Sequence, residues 1–280
     1  MDQEGNIKQF INDNQFRIDV ESLKKYQCAI RQFLEYTDKP LAAITKSDIR
    51  SWLIYLKEKG YKPNTIWSKL TALKTFFNYC LEEDLTLKNP AAKIPFPRVE
   101  EKLPYYLSIE QMIKLRKLLE GRLQERAILE VLYATGIRIS ELCAMKIENI
   151  DWSERTIHIP NGKWKKGRIV LFTHQCGEHL KLYLESRTDG HPYVFLSLKF
   201  KDRAISPDVV GSWLFKNYAK SLGFKVTPHT IRHTFAAHLA QKGMPLECIR
   251  VLLGHETPNE TSYYARLYNH ARKEKYDEFM

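Results

Sequence analysis

The segment TPHTIRHTFAAHLAQKG, residues 227–243, predicts a helix that begins at Pro228 and brings three chemically active side chains together. A threonine followed by a proline is typical of a helix N-terminus, because proline suits the first helical position. His229, Arg232 and His233 are spaced i, i+3 and i+4, so they share one face of that helix. The same end of a helix attracts anions such as phosphate. Taken by itself, a His-x-x-Arg-His pattern more often belongs to a surface patch or a helix cap.

Three further stretches carry groups of a similar kind, and each is weak evidence by itself. Arg138 lies in ATGIRISEL, where a lone arginine usually forms a salt bridge. Lys163 lies in the basic turn NGKWKKG, and lysines at such turns are mostly inert. His255 ends LLGH, and Tyr264 follows it by nine residues; paired tyrosines on a helix are more often core residues than catalysts. The order of these groups along the chain is far more specific than any one of them.

Together the stretches resemble the successive motifs of the tyrosine recombinase, or phage integrase, family, in particular its short Xer-like members. The motifs are ATGIRISEL, GKWKKGRIVLF, TPHTIRHTFAAHLAQKG and VLLGHETPNETSYYA, and the resemblance covers the whole chain. It implies that the family's catalytic positions fall on Arg138, Lys163, His229, Arg232, His255 and Tyr264. Glu141 matches the acidic position that supports the first arginine in relatives, and His233 a common neighbour. The spacing from the later histidine selects Tyr264 over Tyr263.

The chemistry of phosphodiester cleavage needs groups of these types. Two fixed guanidinium groups, Arg138 and Arg232, can neutralise the charge that builds on the phosphoryl oxygens. The phenol of Tyr264 needs a base, for which His229 is the candidate, and the departing 5' oxygen needs a proton, which Lys163 can supply. His255 would hydrogen-bond a phosphoryl oxygen. The sequence has no Walker loop, acidic metal cluster or cysteine site, so no cofactor or metal is expected.

The resemblance also implies how the reaction is organised. The enzyme would cleave and rejoin double-stranded DNA through a 3'-phosphotyrosine intermediate, and a Holliday junction would form within a homo-tetramer or a paired set of recombinases on two DNA sites. The sequence after Tyr264 predicts one more amphipathic helix, with Leu267 and Tyr268 near its start. Its apolar side chains are expected to be buried in cis or in trans, and in relatives such a tail docks on the neighbouring subunit.

The composition is consistent with a nucleic-acid partner. The 280 residues include 44 Lys and Arg against 33 Asp and Glu, a formal charge of +11. Charge alone decides little, because many basic proteins never bind DNA. The five cysteines are scattered and form no Cys-x-x-Cys pair, which argues against a disulfide framework or zinc ribbon. The sequence shows no leader peptide and no apolar run of about 20 residues, so a cytoplasmic protein without a membrane partner is expected.

Hydrophobic periodicity predicts a mostly α-helical first domain over residues 1–94. An apolar stripe recurs at helical spacing over residues 20–36, and a second helix starts at Thr45, with Asp48 three residues on as in a capping box. A third helix ends near Glu83 and carries one apolar face, consisting of Ile66, Leu70, Leu73, Phe77 and Leu81. By resemblance this is a core-binding, SAM-like domain that completes a clamp around DNA. Its candidate phosphate contacts are Lys46, Arg50, Lys62, Lys69 and Lys74, with Lys165 and Lys166 added from the later turn.

The proline-rich stretch from Asn89 to Pro104 lacks periodicity and is predicted to belong to neither core, with the linker assigned to residues 95–105. Residues 106–280 then predict a mostly helical catalytic domain with a small β-sheet. Its first helix is capped by Ser108 with Gln111 three residues on. Strands are predicted at 156–160 and 168–172. Helix starts are predicted at three dipeptides: Ser206-Pro207, Thr227-Pro228 and Met244-Pro245.

Two alternatives remain at this point. A type IB topoisomerase uses a similar arginine, lysine, histidine and tyrosine set but relaxes DNA without exchanging partners; the short two-domain length favours a recombinase. A catalytically silent DNA-binding protein derived from a recombinase is the other, and the presence of every catalytic residue type argues against it. The sequence does not distinguish dimer resolution from plasmid or transposon resolution or from integration.

Overall fold

The computed structural model describes residues 3–98, 103–160, 167–197, 199–200, 202–254 and 259–279. The chain divides into two compact units, Met1–Glu100 and Glu101–Met280. Helices dominate both units, and a three-stranded sheet lies in the second, which confirms the predicted mostly helical fold with a small sheet. The finer domain boundaries, including a linker at 95–105, stay a prediction. Lys163, Lys165, Lys166 and His255 lie outside the described residues.

The first unit is a four-helix arrangement whose helices follow the predicted apolar stripes. The helices are α1 Gln3–Asp13, α2 Val20–Thr37, α3 Lys46–Glu58 and α4 Pro63–Glu82, with a short 3-10 turn at Leu41–Ala43. Thr45 and Asp48 form the predicted capping box at the start of α3. Aromatic rings fill the core: Phe33 meets Trp52 edge-on with centroids 5.2 Å apart, and Phe10 meets Phe76 likewise at 5.4 Å. Such pairs add to the hydrophobic burial that holds small domains together.

Two sequence expectations for this unit are wrong. Leu81 was predicted on the buried face of α4, yet 42% of it is exposed, because it lies in the last turn where the helix passes the edge of the core. The stretch from Asn89 was predicted to join neither core, yet Ala91 and Ile94 are buried in the first unit's core, within the predicted 1–94 domain. The Asn89 side chain accepts a hydrogen bond from the Ala91 backbone N–H, which supports a local turn without any helical periodicity.

The second unit contains the remaining helices and the sheet. They are α5 Ile109–Leu118, α6 Leu123–Thr135, α7 Ile139–Cys143, β1 Ile150–Asp151, β2 Thr156–Ile159, β3 Arg168–Leu171, α8 His174–Glu185, a π-helical segment Val209–Leu214 continuing into α9 Phe215–Leu222, α10 Pro228–Gln241, α11 Leu246–Leu253, α12 Asn259–Ser262 and α13 Ala265–Phe279. The strands lie in the order β1-β2-β3 and are antiparallel, with Ile157 paired to Val170. Both side chains of that pair are buried.

Helix starts in this unit follow the predicted caps with one exception. Ser108 and Gln111 form a capping box, and the Thr227 hydroxyl accepts from the Thr230 backbone N–H with Pro228 in the first turn. At Met244-Pro245, by contrast, Pro245 itself is the cap residue of α11 and no side chain caps the helix. The prediction there was wrong by one residue.

Helix α10 lies at the centre of a cluster that also includes residues from α11 and Tyr264. Most of its residues are buried, from Pro228 through Ala240, and α6, α11 and α13 all pack against it. A helix surrounded in this way holds its side chains in fixed orientations, which suits a site that needs preorganised charges. Within the described ranges, no helix is both long and apolar enough to cross a membrane.

Candidate active site

Arg232 is a buried positive charge held by backbone carbonyls. The residue is 7% exposed, and its guanidinium donates to Gly136 O at 2.5 Å and to Leu253 O at 2.8 Å. No ion pair with a carboxylate is found for it in the part of the chain that the structure describes. Burial, and then the nearby Arg138 charge, lower the pKa of Arg232 to about 10, so the group stays charged at neutral pH. A buried guanidinium without an anion is suited to receive one.

Gly136, in the motif ATGIRISEL, allows helices α6 and α10 to approach closely. It ends α6 in the left-handed conformation, with φ +62°, which glycine adopts at little cost. A Cβ there would lie 2.4 Å from Phe235 Cδ1 on α10, so a side chain would push α6 and α10 apart. The close approach of the two helices brings the Gly136 carbonyl to Arg232. The motif that contains Arg138 therefore also supplies a backbone carbonyl that holds Arg232.

Arg138 lies two residues further on, at the N-terminus of α7. Its backbone N–H donates to Glu141 Oε2 at 2.7 Å, and its Nη1 donates to Glu141 Oε1 at 3.2 Å. Its Nη2 donates to Gly254 O at 3.2 Å, next to the carbonyl of Leu253 that Arg232 contacts. The predicted support of Arg138 by Glu141 is therefore present. Both arginines reach the same turn at the end of α11, immediately before His255.

Arg168, at the start of β3, is the residue of this cluster that sequence reasoning missed. Both of its Nη atoms donate to Glu141, each at 2.8 Å, and only 13% of the side chain is exposed. Burial alone would raise the pKa of Glu141, but the Arg168 hydrogen bonds and the other arginine contacts bring it below its ordinary value. The alternation of side chains along β3 could have indicated that Arg168 faces inward. Arg168 shares a strand face with the buried Val170, and an inward-facing charge requires a partner.

Two of the three histidines of α10, His229 and His233, have different surroundings. His229 is exposed, although nearby protein atoms partly bury its ring; that burial, followed by the charges of Arg232 and Arg138, lowers its pKa. Burial lowers the pKa of His233 to about 4, with smaller contributions from its neighbours, so the ring is neutral at pH 7. The Nδ1 atom of His233 lies 2.6 Å from Tyr264 Oη. The structure therefore brings His233 into contact with the phenol, a contact the sequence did not predict.

Tyr264 and Tyr263 differ sharply in environment. Tyr264 is 1% exposed and packs against α10, whereas Tyr263 is 37% exposed. Burial raises the pKa of the Tyr264 phenol, and the Arg232 charge opposes that rise. The phenol is therefore protonated at neutral pH, and its oxygen is within hydrogen-bonding distance of the His233 imidazole. Of the two, Tyr264 is the tyrosine that lies within the arginine and histidine cluster.

The candidate phosphate contacts of the first unit fall into two groups. Arg50 and Lys62 are exposed and Lys46 is half-buried. Lys69 hydrogen-bonds Gln32 and lies over two aromatic rings, and Lys74 donates to Ala92 O at 3.0 Å. The second group therefore already has intramolecular partners in this conformation.

The tail helix α13 lies against its own subunit over its first half. Leu267 and Tyr268 pack on the cluster around α10, and Ala271 is buried. Tyr276, further along, is 62% exposed. The part near Tyr264 is thus held in cis, and an intersubunit role can be proposed only for the more distal residues.

Comparison with known proteins supports one family. Residues 106–271 match the phage integrase family, and residues 7–87 match the phage integrase N-terminal SAM-like domain. The tyrosine recombinase XerA of Pyrococcus furiosus is 32% identical over 249 residues, which cover 88% of this chain and 83% of the relative. XerC of Staphylococcus carnosus is 31% identical over 267 residues, covering 91% and 89%. The chain therefore belongs to the phage integrase family and is a tyrosine recombinase of the short Xer-like kind.

Solved structures show the same fold. A crystal structure of XerA recombinase aligns over 98% of both chains with 27% identity and a TM-score of 0.56. The Tn1549 transposon integrase, solved with transposon right end DNA, aligns over 98% of this chain and 99% of that one with a TM-score of 0.78 at 20% identity. At that level of identity the likeness concerns the fold alone.

The neutral, buried His233 predicts a specific pH dependence of stability. Its pKa is about 4 in the folded protein, against about 6.5 in an unfolded chain. The unfolded state therefore binds more protons between these values, so His233 contributes stability above pH 6.5 that is lost as the pH falls towards 4. Between pH 7 and pH 5, the contribution of His233 to the free energy of unfolding should fall by about 2 kcal/mol.

Urea unfolding at pH 7, 6 and 5 measures that dependence. His233→Gln removes the titrating ring while keeping a hydrogen-bond acceptor for Tyr264, so its stability should fall less steeply with pH than that of the unchanged protein. His174→Gln, at an exposed histidine, is the matched control and should preserve the original slope. Parallel curves for the original protein and His233→Gln would contradict the assignment.

Proposed function

We propose that this tyrosine recombinase cleaves and rejoins double-stranded DNA through a covalent bond between Tyr264 and a 3' phosphate. The observation that carries the proposal is the 2.6 Å contact between Tyr264 Oη and His233, on the same helix as the buried Arg232. A nucleophile, a neutral imidazole and a buried cation that has no carboxylate partner among the described residues are what attack on a phosphodiester requires.

In the first step the phenolic oxygen of Tyr264 forms a bond to phosphorus, and the bond from phosphorus to the 5' oxygen breaks. The phenolic proton passes to an imidazole; His233 is the one in contact, and His229, near both arginine charges, is a second acceptor and a phosphate ligand. Lys163 would protonate the departing 5' oxygen. Arg138, Arg232 and His255 would bind the phosphoryl oxygens as negative charge builds up on them.

Rejoining reverses these steps with a different strand. The free 5' hydroxyl of a partner duplex attacks the phosphotyrosine, and Tyr264 leaves with its proton restored. No external energy source is needed, because the phosphotyrosine retains the energy of the original bond. Exchange of one strand from each of two duplexes produces a Holliday junction, and exchange of the second pair of strands resolves it. The complete reaction uses two DNA sites and four active sites, supplied by a homo-tetramer or a paired set of recombinases.

The first unit would add affinity through phosphate contacts. Among its candidates, Arg50 and Lys62 are exposed and so are the stronger proposals, followed by Lys46. Lys69 and Lys74 would have to exchange internal contacts for DNA contacts. Lys165 and Lys166 are proposed to contact DNA beside Lys163. Such contacts position the protein without selecting a sequence.

A nicked suicide substrate tests this function. Sites are first selected from genomic DNA by binding. Each site is then nicked beside the cleavage position, so that the short fragment carrying the free 5' hydroxyl diffuses away after cleavage and rejoining fails. We expect a covalent protein–DNA complex on a denaturing gel, and Holliday junctions when two intact sites are supplied. A complex without junctions would indicate a topoisomerase, and binding without any complex would indicate a catalytically silent DNA-binding protein.

A further inference from the structure

Glu141 is held more tightly by Arg168 than by Arg138. Arg168 forms a bidentate pair with both carboxylate oxygens at 2.8 Å, whereas the side chain of Arg138 makes a single, longer contact at 3.2 Å. The Glu141 side chain is 5% exposed, so its charge requires a close partner. A bidentate fork is the strongest form of this pairing. Arg168 is therefore the main partner that compensates the buried charge of Glu141.

This arrangement determines the charge available to a phosphate. Among the described residues, the cluster has three guanidinium groups and one carboxylate, which leaves an excess of two positive charges at neutral pH. A phosphodiester under attack carries a second negative charge, which this excess matches. Without Arg168, the buried Glu141 would have Arg138 as its remaining partner and would pair with it bidentately. The fork of Arg138 would then be occupied and its charge cancelled.

Arg168 also supports the turn that both other arginines contact. A Cβ on Gly254 would lie 3.0 Å from the Cδ and Nε atoms of Arg168, so the bare backbone packs directly on the guanidinium. On the same turn, Arg138 donates to the carbonyl of Gly254 and Arg232 to that of Leu253. Gly254 has φ +64°, a conformation that glycine adopts readily.

We propose that Arg168 is a positioning residue of the reaction. By pairing with Glu141 it leaves Arg138 with one long side-chain contact to that carboxylate, so the charge and the remaining N–H groups of Arg138 can serve the scissile phosphate. By packing under Gly254 it fixes the turn that precedes His255. The proposal rests on the proposed function, since it needs Arg138 to bind phosphate. Arg168 itself does not contact the reacting atoms.

A double-substitution cycle tests the charge mechanism. Arg168→Gln should bind DNA within a few-fold of the original protein but form the covalent adduct about 100-fold more slowly. Adding Glu141→Gln removes the carboxylate that would occupy Arg138, so the double variant should recover about tenfold or more relative to Arg168→Gln. A purely structural role predicts the reverse, because losing both partners would slow the reaction further. Unchanged rates in Arg168→Gln, or no recovery in the double variant, would overturn the proposal.

The second unit offers a matched control. Glu130 is likewise buried between two arginines, Arg116 and Arg126, with hydrogen bonds of 2.7 to 2.9 Å. Arg116→Gln should lower the melting temperature without slowing adduct formation at a temperature where the variant is folded. An equal slowing in Arg116→Gln would assign the effect at Arg168 to general destabilisation.

If Arg168→Gln does not fold, Arg168→Lys takes its place in the cycle. Lysine keeps the charge but cannot form the fork, so we expect adduct formation about tenfold slower at a similar melting temperature. A rate equal to that of the original protein would then refute the positioning role. Wild-type adduct on the suicide substrate is measured alongside: its absence would overturn the proposed function, whereas its presence with an insensitive Arg168 would overturn this inference alone.

Discussion

Tyr264→Phe is expected to bind its DNA site normally and to form no detectable covalent adduct. The substitution removes one oxygen and leaves the ring, which fills a position that is 1% exposed, so the fold should be preserved. Loss of the hydrogen bond to His233 should cost about 1 kcal/mol of stability. Binding is measured by gel shift and the adduct by denaturing electrophoresis on the suicide substrate.

Tyr263→Phe is the matched control for this variant, since it removes the same atom from the adjacent, exposed tyrosine. Its adduct yield should equal that of the original protein. Undiminished adduct in Tyr264→Phe, together with its loss in Tyr263→Phe, would reverse the assignment of the nucleophile.

Arg232→Lys is expected to have the second largest effect. The guanidinium reaches Gly136 O and Leu253 O at once, and a single ammonium group cannot keep both contacts and bind a phosphate in the same place. We expect adduct formation to slow by about 10²- to 10³-fold, the usual cost of losing one transition-state donor. Affinity for DNA should change only a few-fold, because many phosphate contacts share that energy.

Single-turnover cleavage of the suicide substrate measures this effect. Arg126→Lys is the control, since Arg126 also lies in a buried pair, with Glu130. A cleavage rate for Arg232→Lys within tenfold of the original would mean that Arg232 has a structural role alone. Thermal unfolding of both variants shows whether the proteins remain folded at the assay temperature.

Local signals in the sequence accounted for most of the helices. Thr45 with Asp48, and Ser108 with Gln111, specify caps through side chains three residues apart, and both caps are present. The buried position of Ala91 and the exposure of Leu81 depend instead on where the core ends, which no periodicity within one helix records. The strand β1 is only Ile150–Asp151 and is too short to produce an alternating pattern.

In the candidate site, too, contacts between residues close in sequence were predicted and contacts between distant residues were not. The family resemblance paired Arg138 with Glu141, and the two lie three residues apart at the start of one short helix. The contact of Arg168 with Glu141 spans 27 residues, and that of Tyr264 with His233 spans 31. Such contacts are created by packing of the sheet and of α10, so a single sequence provides the residue types but not their partners.

Mapping of the covalent adduct tests the central claim most directly. The protein is trapped on a suicide substrate, digested with a protease and a nuclease, and the nucleotide-linked peptide is sequenced by mass spectrometry. We predict a single modified residue, Tyr264, joined to a 3' phosphate. A linkage at Tyr263 or at any other residue, or a bond to a 5' phosphate, would contradict the account.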